Sequence, residues 1–332
     1  RFIKEPIIAV TGTNGKTTAT ALTGRMLKDS GLKVFVGGNI GNPLISYLDQ
    51  KEKAHVVVVE LSSFQLDTID TFRPKVSVLL NITEDHLDRY KNFDAYARSK
   101  GRIFKNQTEE DFAVYNDSDP FVIKLTENIK AKKIPFSSDL KENHPVISQI
   151  DLSRVKLFGR HNLENIYAAS LAATAAGGTP AGIQAAVNSF KGLSHRLEYI
   201  KTVGNVKYFD DSKATNPDAA KKALESFTQP VILIMGGRNK GYDFNMLAEP
   251  VKKHVKRLIL LGEAKDEIKS ALGGIISCEP VSSMDEAVFA AHRASRSKDV
   301  VLLSPACSSF DMFTGYAQRG EVLHEIVNTL SI

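Results

Sequence analysis

Short, wholly apolar runs rich in valine and isoleucine recur along the chain and alternate with stretches of helical pattern. These runs lack the polar alternation of a half-exposed sheet, so they predict strands that are buried on both faces. Strands that alternate with helices predict a parallel sheet covered by helices on both sides. In the first part of the chain the predicted strands are residues 6–10, 34–36, 55–59, 76–82 and 112–115, and the predicted helices are 16–28, 93–104, 162–176 and 180–190.

The same alternation starts again after the segment 191–194, which predicts a second α/β unit. A chain of 332 residues is also long for a single ordinary core. The predicted strands here are 231–235, 257–261 and 300–303, and the predicted helices are 218–227, 264–272, 284–296 and 320–330. We therefore predict an α/β protein with a mostly parallel sheet in domain 1–192 and a smaller, Rossmann-like domain 193–332.

Composition narrows the class of protein. The net charge is +5 and the basic residues are scattered, which favours a solvated surface over a nucleic-acid-binding patch. No apolar run approaches the roughly 20 residues of a membrane helix, and the N-terminus carries no signal peptide. The two cysteines, Cys278 and Cys307, cannot form a disulfide framework. We expect a cytoplasmic protein that acts on small molecules, as a monomer, without nucleic acid or membrane partners.

A glycine-rich segment connects the first predicted strand to the first predicted helix. Small residues let the backbone wrap around a polyphosphate, and the N–H groups of the helix N-terminus point at it. The lysine would pair with the β and γ phosphates of ATP and the following threonine would bind Mg²⁺. Only two residues separate the glycines, instead of the four of the general P-loop pattern, and a turn without a ligand is the alternative. The predicted phosphate-binding residues are Gly12, Thr13, Asn14, Gly15, Lys16, Thr17 and Thr18.

Acidic residues follow two other predicted strands. Glu60 ends one of them, and the segment 81–90 after the next contains three acids and His86. Ligands of open parallel sheets bind at the carboxyl ends of the strands, and Mg²⁺ prefers oxygen ligands. These positions therefore predict a metal or catalytic cluster, although a single histidine is more often structural or solvated.

The segment 11–17, Thr-Gly-Thr-Asn-Gly-Lys-Thr, resembles the phosphate loop of the Mur ligase family, which also includes folylpolyglutamate synthase. These enzymes join a carboxylate to an amine at the expense of ATP. The resemblance implies two Mg²⁺ ions, one bound by Thr17 and Glu60 and the other by His86 and a carbamylated Lys100. It further implies that Asn162 and Asn165 bind adenine, that Asn39 contacts substrate, and that Lys16, His86, Lys100 and Lys213 are catalytic.

Three segments of the second domain, 209–216, 236–243 and 303–311, resemble those family members that join D-glutamate to UDP-N-acetylmuramoyl-L-alanine through an acyl phosphate. The resemblance implies that the two carboxylates of D-glutamate are bound by Thr215, Lys240, Ser309 and the backbone N–H of Phe310. It also implies that Arg196, Asp211 and Lys213 contact the nucleotide. Asn239 departs from the pattern, which has aspartate there.

Family members carry a further N-terminal domain that binds the uridine nucleotide, and no segment of this sequence resembles it. The chain begins with Arg1 and reaches its first predicted strand almost at once, so we expect a fragment. Two alternatives remain open. One is a ligase for another carboxylate, such as a folate, and the other is a nucleotide-binding module without ligase activity.

Overall fold

The structure, a computed structural model, describes residues 2–85, 89–137, 144–155, 157 and 159–331. The chain divides into two compact units, Arg1–Lys191 and Gly192–Ile332, and each unit has one six-stranded sheet. The predicted α/β class is confirmed. Among the described residues, none of the helices has both the length and the apolar character needed to cross a membrane.

The sheet of the first unit is entirely parallel, with the strand order β2-β3-β1-β4-β5-β6. Its strands are β1 (Ile7–Thr11), β2 (Val34–Gly38), β3 (Val56–Glu60), β4 (Val76–Leu79), β5 (Phe112–Asn116) and β6 (Lys132–Phe136). In the register, Val10 lies beside Glu60 and Thr11 lies beside Leu79. The segment that follows β1 therefore begins between the carboxyl ends of β3 and β4.

Helices cover both faces of this sheet, as the apolar runs predicted. They are α1 (Lys16–Asp29), α2 (Ser63–Asp67), α3 (Phe93–Gly101), α4 (Pro120–Thr126), α5 (Arg160–Ala175) and α6 (Pro180–Ser189). Val56 and Val58 belong to the core formed with α1, α5 and α6, whereas Val57 and Val59 belong to the core formed with α2, α3 and α4. All four valines are buried, which explains why the strand shows no polar alternation.

The second unit repeats this architecture with one antiparallel edge. The strand order is β11-β10-β9-β12-β8-β7, and only the β7–β8 pair is antiparallel. The strands are β7 (Glu198–Val203), β8 (Val206–Asp210), β9 (Val231–Gly236), β10 (Val255–Leu261), β11 (Cys278–Pro280) and β12 (Val300–Leu303). The helices are α7 (Pro217–Leu224), α8 (Ala248–His254), α9 (Lys265–Leu272), α10 (Met284–Ala294) and α11 (Tyr316–Thr329).

The predicted elements differ from the structure mainly at edges and ends. The strands β6, β7, β8 and β11 were not predicted, because β6 and β7 are polar edge strands, β8 is short and mixed, and β11 has three residues. The strand predicted for 76–82 ends at Leu79, since the backbone beyond it contacts the segment after β1. The helix predicted for 93–104 is α-helical only to Gly101 and continues as a 3₁₀ turn.

Candidate active site

The segment between β1 and α1 has the backbone that its glycines predict. Gly12 has a φ of 149° and Gly15 a φ of 84°, both in the region that favours glycine. A Cβ at Gly12 would lie 3.0 Å from the Cβ of Leu80, so the close approach to β4 also requires glycine. Lys16, Thr17 and Thr18 form the first turn of α1, where only Thr18 is buried.

The N-terminus of α1 suits an anion. Its N-cap residue is Gly15, which has no side chain to accept a hydrogen bond from the first turn, and that turn holds no acidic residue. The N–H groups at a helix start attract phosphate, and the helix dipole adds to the attraction. Six other α-helices among the described residues begin instead at a residue whose side chain accepts a hydrogen bond from the first turn, namely Ser62, Asn92, Asp119, Thr179, Asn216 and Ser283.

Hydrogen bonds hold this loop against the segment that follows β4. The backbone N–H of Thr13 donates to the carbonyl of Asn81 at 2.9 Å, and that of Asn14 donates to the Asn81 side-chain oxygen at 2.8 Å. The Thr13 hydroxyl accepts from the N–H of Thr83 at 3.0 Å and lies 3.1 Å from the hydroxyl of Tyr96. These hydrogen bonds fix the position of the loop relative to the segment after β4.

Two lysine ammonium groups reach the backbone of the loop. Lys16 Nζ donates to the carbonyl of Thr13, and Lys100 Nζ donates to that of Gly12, both at 2.8 Å. Lys100 is 2% exposed. Burial lowers the pKa of Lys100 well below its ordinary value, the charge of Lys16 lowers it further, and Asp85 and Glu60 act in the opposite direction. The structure thus places Lys100 against the phosphate loop, in surroundings that disfavour its charged form.

Glu60 occupies the carboxyl end of β3 and is 2% exposed. Its Oε1 accepts a hydrogen bond of 3.0 Å from the Asn39 side chain, so the structure places the predicted Asn39 beside it. Its Oε2 is buried and has no hydrogen-bond partner in the part of the chain that the structure describes. A buried carboxylate oxygen without a hydrogen-bond donor is unfavourable unless it binds a cation. His86, predicted as a metal ligand, lies outside the described residues.

Asn162 and Asn165, the residues predicted to bind adenine, lie on the first turns of α5 and are both buried. Asn165 donates to the Asn162 side-chain oxygen at 3.1 Å. A Cβ added to Gly15 would overlap the side-chain oxygen of Asn165. The start of α5 therefore packs directly against the start of α1.

In the second unit, the segment after β8 contains Asp211, Lys213 and Thr215. Asp211 accepts from the Ser304 hydroxyl at 2.9 Å and from the N–H of Leu197 at 3.2 Å. Burial raises the pKa of Asp211 to about 7, although the Ser304 hydrogen bond and the charge of Arg196 lower it. Of the predicted nucleotide contacts, Arg196 and Asp211 are thus electrostatically coupled.

Lys213 is positioned by groups that the sequence interpretation did not include. Its Nζ lies 3.5 Å from the ring centre of Tyr316, a distance at which a cation and an aromatic face attract each other. Its backbone N–H donates to the carbonyl of His195, and the N–H of Thr215 donates to the carbonyl of Lys213. Tyr316 is the first residue of α11, far from Lys213 in sequence.

The remaining predicted substrate residues lie on two loops that the structure joins. The backbones of Arg238 and Ser308 exchange hydrogen bonds of 2.9 and 3.0 Å, which links the loop of Lys240 to that of Ser309 and Phe310. Ser309 is buried, whereas the Phe310 side chain is 65% exposed. Asn239, the departure from the family pattern, keeps the turn because its Oδ1 accepts from the N–H of Tyr242 at 2.9 Å.

Arg319 was missed by sequence analysis and connects these loops. It is 2% exposed, and it donates to the hydroxyl and carbonyl of Ser212 at 2.9 and 2.8 Å and to the carbonyl of Cys307 at 3.2 Å. Burial lowers the pKa of Arg319 to about 10. Its Nη1 has no partner within the described ranges. The predicted helix began at Gly320, and sequence analysis assigned Arg319 no role because its partners are distant in the chain.

Comparisons with known proteins identify the family of this chain. The model of the Mur ligase middle domain matches residues 10–173, and that of the Mur ligase, glutamate ligase domain matches residues 195–307. A UDP-N-acetylmuramoylalanine–D-glutamate ligase of Desulfosudis oleivorans is 50% identical, over 97% of this chain and 73% of that protein. One of Geotalea daltonii is 47% identical, over 99% of this chain and 76% of that protein.

Solved structures share the fold at lower identity. The MurF ligase of Thermotoga maritima in complex with ADP superposes with a TM-score of 0.74 at 20% identity, over 97% of this chain and 79% of that one. A pseudomurein peptide ligase type C of Methanothermus fervidus gives a TM-score of 0.72 at 17% identity, over 98% of this chain and 79% of that one. Together with the two family models and the close relatives, the phosphate loop and the loops of the second unit lead to one conclusion: this chain belongs to the Mur ligase family.

Proposed function

We propose that this chain carries the catalytic units of a ligase that uses ATP to join D-glutamate to UDP-N-acetylmuramoyl-L-alanine in peptidoglycan synthesis. The observation that carries the proposal is the glycine-containing loop that leads into α1, which is flanked by Lys16 and by the buried Glu60 Oε2, an oxygen without a hydrogen-bond partner among the described residues. The identity of 50% with a named D-glutamate ligase supports the choice of substrates.

The first unit is proposed to bind ATP. The N–H groups of residues 12–18 and the ammonium of Lys16 would hold the phosphates, and Asn162 with Asn165 would hold adenine at the adjoining start of α5. The buried Oε2 of Glu60 fits Mg²⁺, which Thr17 would also bind. When bound, Mg²⁺ neutralises phosphate charge and orients the transferred group.

A carbamate on Lys100 is part of the proposal. Only a neutral amine adds to carbon dioxide, and burial favours the neutral form of this amine. The carbamate would turn a buried cation into an anionic oxygen ligand, which would suit a second Mg²⁺ held together with His86. Its negative charge would also relieve the repulsion between Lys100 and Lys16.

The second unit is proposed to bind D-glutamate. Its two carboxylates need cationic and hydroxyl donors, and Lys240, Thr215, Ser309 and the backbone N–H of Phe310 provide them. The Arg238–Ser308 backbone bridge keeps the two loops at a fixed separation. Asp211, Arg196 and Lys213 are proposed to contact the nucleotide, with Lys213 directed by the ring of Tyr316.

The proposed reaction has two steps. The alanyl carboxylate attacks the γ-phosphorus of ATP, and the bond to the β,γ-bridging oxygen breaks to give an acyl phosphate and ADP. The amine of D-glutamate then attacks the acyl carbon, loses a proton, and expels inorganic phosphate to leave the amide. Lys16 and the loop amides stabilise charge on the transferred phosphoryl group, which is the main contribution a protein makes to this chemistry.

The test measures ADP release and amide product with D-glutamate, L-glutamate, L-alanine and diaminopimelate as acceptors. Because the chain matches 73% of the length of the Desulfosudis relative, the complete gene product is assayed. Lys16→Ala should lower kcat by about 10²–10³-fold, as the loss of one donor to developing charge does, whereas Lys28→Ala at the exposed end of α1 should not. Equal turnover with another acceptor would refute the choice of D-glutamate.

A second variant separates acceptor binding from ATP chemistry. Lys240→Ala should raise the KM for D-glutamate by about 10–100-fold, because a hydrogen bond from a charged donor is worth about 1.5–3 kcal/mol. The KM for ATP should stay unchanged, and Lys252→Ala, an exposed lysine of the same unit, is the matched control. A rise in the KM for ATP instead would place Lys240 at the nucleotide.

We further propose that the enzyme acts in the cytoplasm as a monomer on small molecules. Both cysteines are unpaired, which suits a reducing compartment. Sedimentation of the gene product at the protomer mass would support the monomer, and a stable dimer would contradict it.

A further inference from the structure

Two histidines and two carboxylates cluster in the second unit, apart from the residues assigned above. His195 Nδ1 is 2.7 Å from Asp210 Oδ2, and His324 Nε2 is 3.1 Å from the same oxygen and 3.8 Å from Glu198 Oε2. One ligand atom from each residue lies within 4.8 Å of the other three. The Asp210 side chain is fully buried and that of His195 is 12% exposed.

The two carboxylates of this cluster give it the charge to bind a cation when both imidazoles are neutral. Glu198 and Asp210 lie directly opposite each other on the antiparallel pair β7–β8, and like charges at such positions repel each other. The N–H of Ser212 donates to Asp210 Oδ1 at 2.8 Å, which fixes this carboxylate with Oδ2 directed at the histidines. With neutral imidazoles the cluster carries two negative charges, the amount that one divalent ion balances.

The backbone is arranged to bring the four side chains together. His195 has a φ of 63°, a left-handed conformation that non-glycine residues adopt at a cost. A Cβ at Gly320 would overlap both His195 Nδ1 and Asp210 Oδ2, so α11 can approach the cluster only through a glycine. His324 follows one turn later on the same helix.

We propose that His195, Glu198, Asp210 and His324 bind one divalent transition-metal ion, for which Zn²⁺ has the matching ligand preference. Imidazole and carboxylate together suit zinc, whereas magnesium prefers oxygen alone. Ligand atoms around a tetrahedral zinc at roughly 2.0–2.1 Å lie roughly 3.3 Å apart. The observed separations of 2.7, 3.1 and 3.8 Å straddle that value, so small side-chain shifts admit the ion.

The ion has a structural consequence for the neighbouring site. It links the start of β7, the end of β8 and the middle of α11. Asp211 follows Asp210 directly, and Lys213 lies three residues beyond Asp210 and contacts the first residue of α11. Metal binding would therefore hold the segment that contains Asp211 and Lys213 in place relative to β7 and α11.

The test is a titration of the tag-free, chelator-treated protein with Co²⁺ and then Zn²⁺. We expect one equivalent of Co²⁺ to give the visible absorption of a tetrahedral site and one equivalent of Zn²⁺ to abolish it. His324→Gln should weaken binding by at least about 100-fold, because even the loss of an outer-shell partner costs about 10–100-fold. Glu198→Gln gives a second variant at an accessible ligand, should one of them fail to fold.

Two controls exclude binding elsewhere. His254→Gln changes a histidine of the same unit outside the cluster, and Glu60→Gln removes the carboxylate proposed for Mg²⁺; both should keep the Co²⁺ spectrum. Zn²⁺ should also raise the thermal midpoint of the wild type but not that of His324→Gln. Absence of a tetrahedral spectrum, or a spectrum that survives His324→Gln and Glu198→Gln, overturns the proposal and leaves a hydrogen-bonded cluster of protonated histidines.

Discussion

The contact between the phosphate loop and α5 can be measured by substituting alanine for Gly15. A Cβ there meets two obstacles, namely the left-handed backbone at φ 84° and the side-chain oxygen of Asn165. Gly31 lies just beyond the other end of α1 with a φ of 86° and nothing within 4 Å of an added Cβ. Gly31→Ala is therefore a matched control for the backbone contribution alone.

The two contributions have separate magnitudes. The left-handed conformation raises the free energy of the folded state by about 1–2 kcal/mol for alanine. Alanine also lowers the conformational entropy of the unfolded chain, which stabilises the folded state by about 0.4–1 kcal/mol. Gly31→Ala should thus destabilise by about 1 kcal/mol. Gly15→Ala should lower the free energy of unfolding by about 1–3 kcal/mol more than Gly31→Ala does, because this is the usual penalty of overpacking. In an Asn165→Ala background this added cost should disappear, while the backbone cost remains.

Hydrogen exchange of the α1 amides is the suitable assay, because a chain with two units need not unfold in one step. Both glycines flank α1, so the same amides report on both variants. The contact between the loop and α5 is refuted if Gly15→Ala costs no more than Gly31→Ala. It is equally contradicted if the added cost persists without the Asn165 side chain.

Three further results are expected. A ¹³C-carbamate signal should appear with labelled bicarbonate in the wild type and in Lys105→Ala but vanish in Lys100→Ala; a wild type without the signal contradicts the carbamate. Glu60→Gln should raise the Mg²⁺ concentration needed for turnover by at least about tenfold, because even the loss of an outer-shell partner costs about 10–100-fold in metal affinity; ATP binding in the absence of Mg²⁺ should stay unchanged. Burial raises the pKa of Asp111, but hydrogen bonds from Arg73 and from the backbone bring this pKa below the ordinary value of 3.8. The ionised carboxylate therefore stabilises the folded state above pH 3.8, and this stabilisation is lost as the pH falls through the pKa that Asp111 has in the folded protein. Asp111→Asn should therefore lower the thermal midpoint at neutral pH and reduce its fall in acid, and parallel curves for both proteins would contradict this.

Sequence analysis predicted those parts of the candidate site that are local in the chain. The phosphate loop is one continuous segment, and Glu60 follows directly from the end of a recognisable strand. Arg319, Tyr316 and the cluster around Asp210 were missed because their partners are distant. Arg319 bonds to Ser212 across 107 residues, and His324 bonds to Asp210 across 114. These contacts depend on the packing of α11 against the β7–β8 edge, and that edge itself was not predicted.

Lys100 shows how a residue can lie beside the phosphate loop although its local sequence predicts an exposed position. A lysine in a helix of mixed polarity is most often exposed, and only the family resemblance indicated otherwise. Within α3, however, Lys100 lies one turn after the buried Tyr96, and its Nζ is 4.8 Å from that ring. Packing against the sheet thus forces an ammonium into a position where burial and Lys16 both oppose its charge. The burial that is unusual for a lysine on a helix surface is therefore also the main cause of the lowered pKa of its amine.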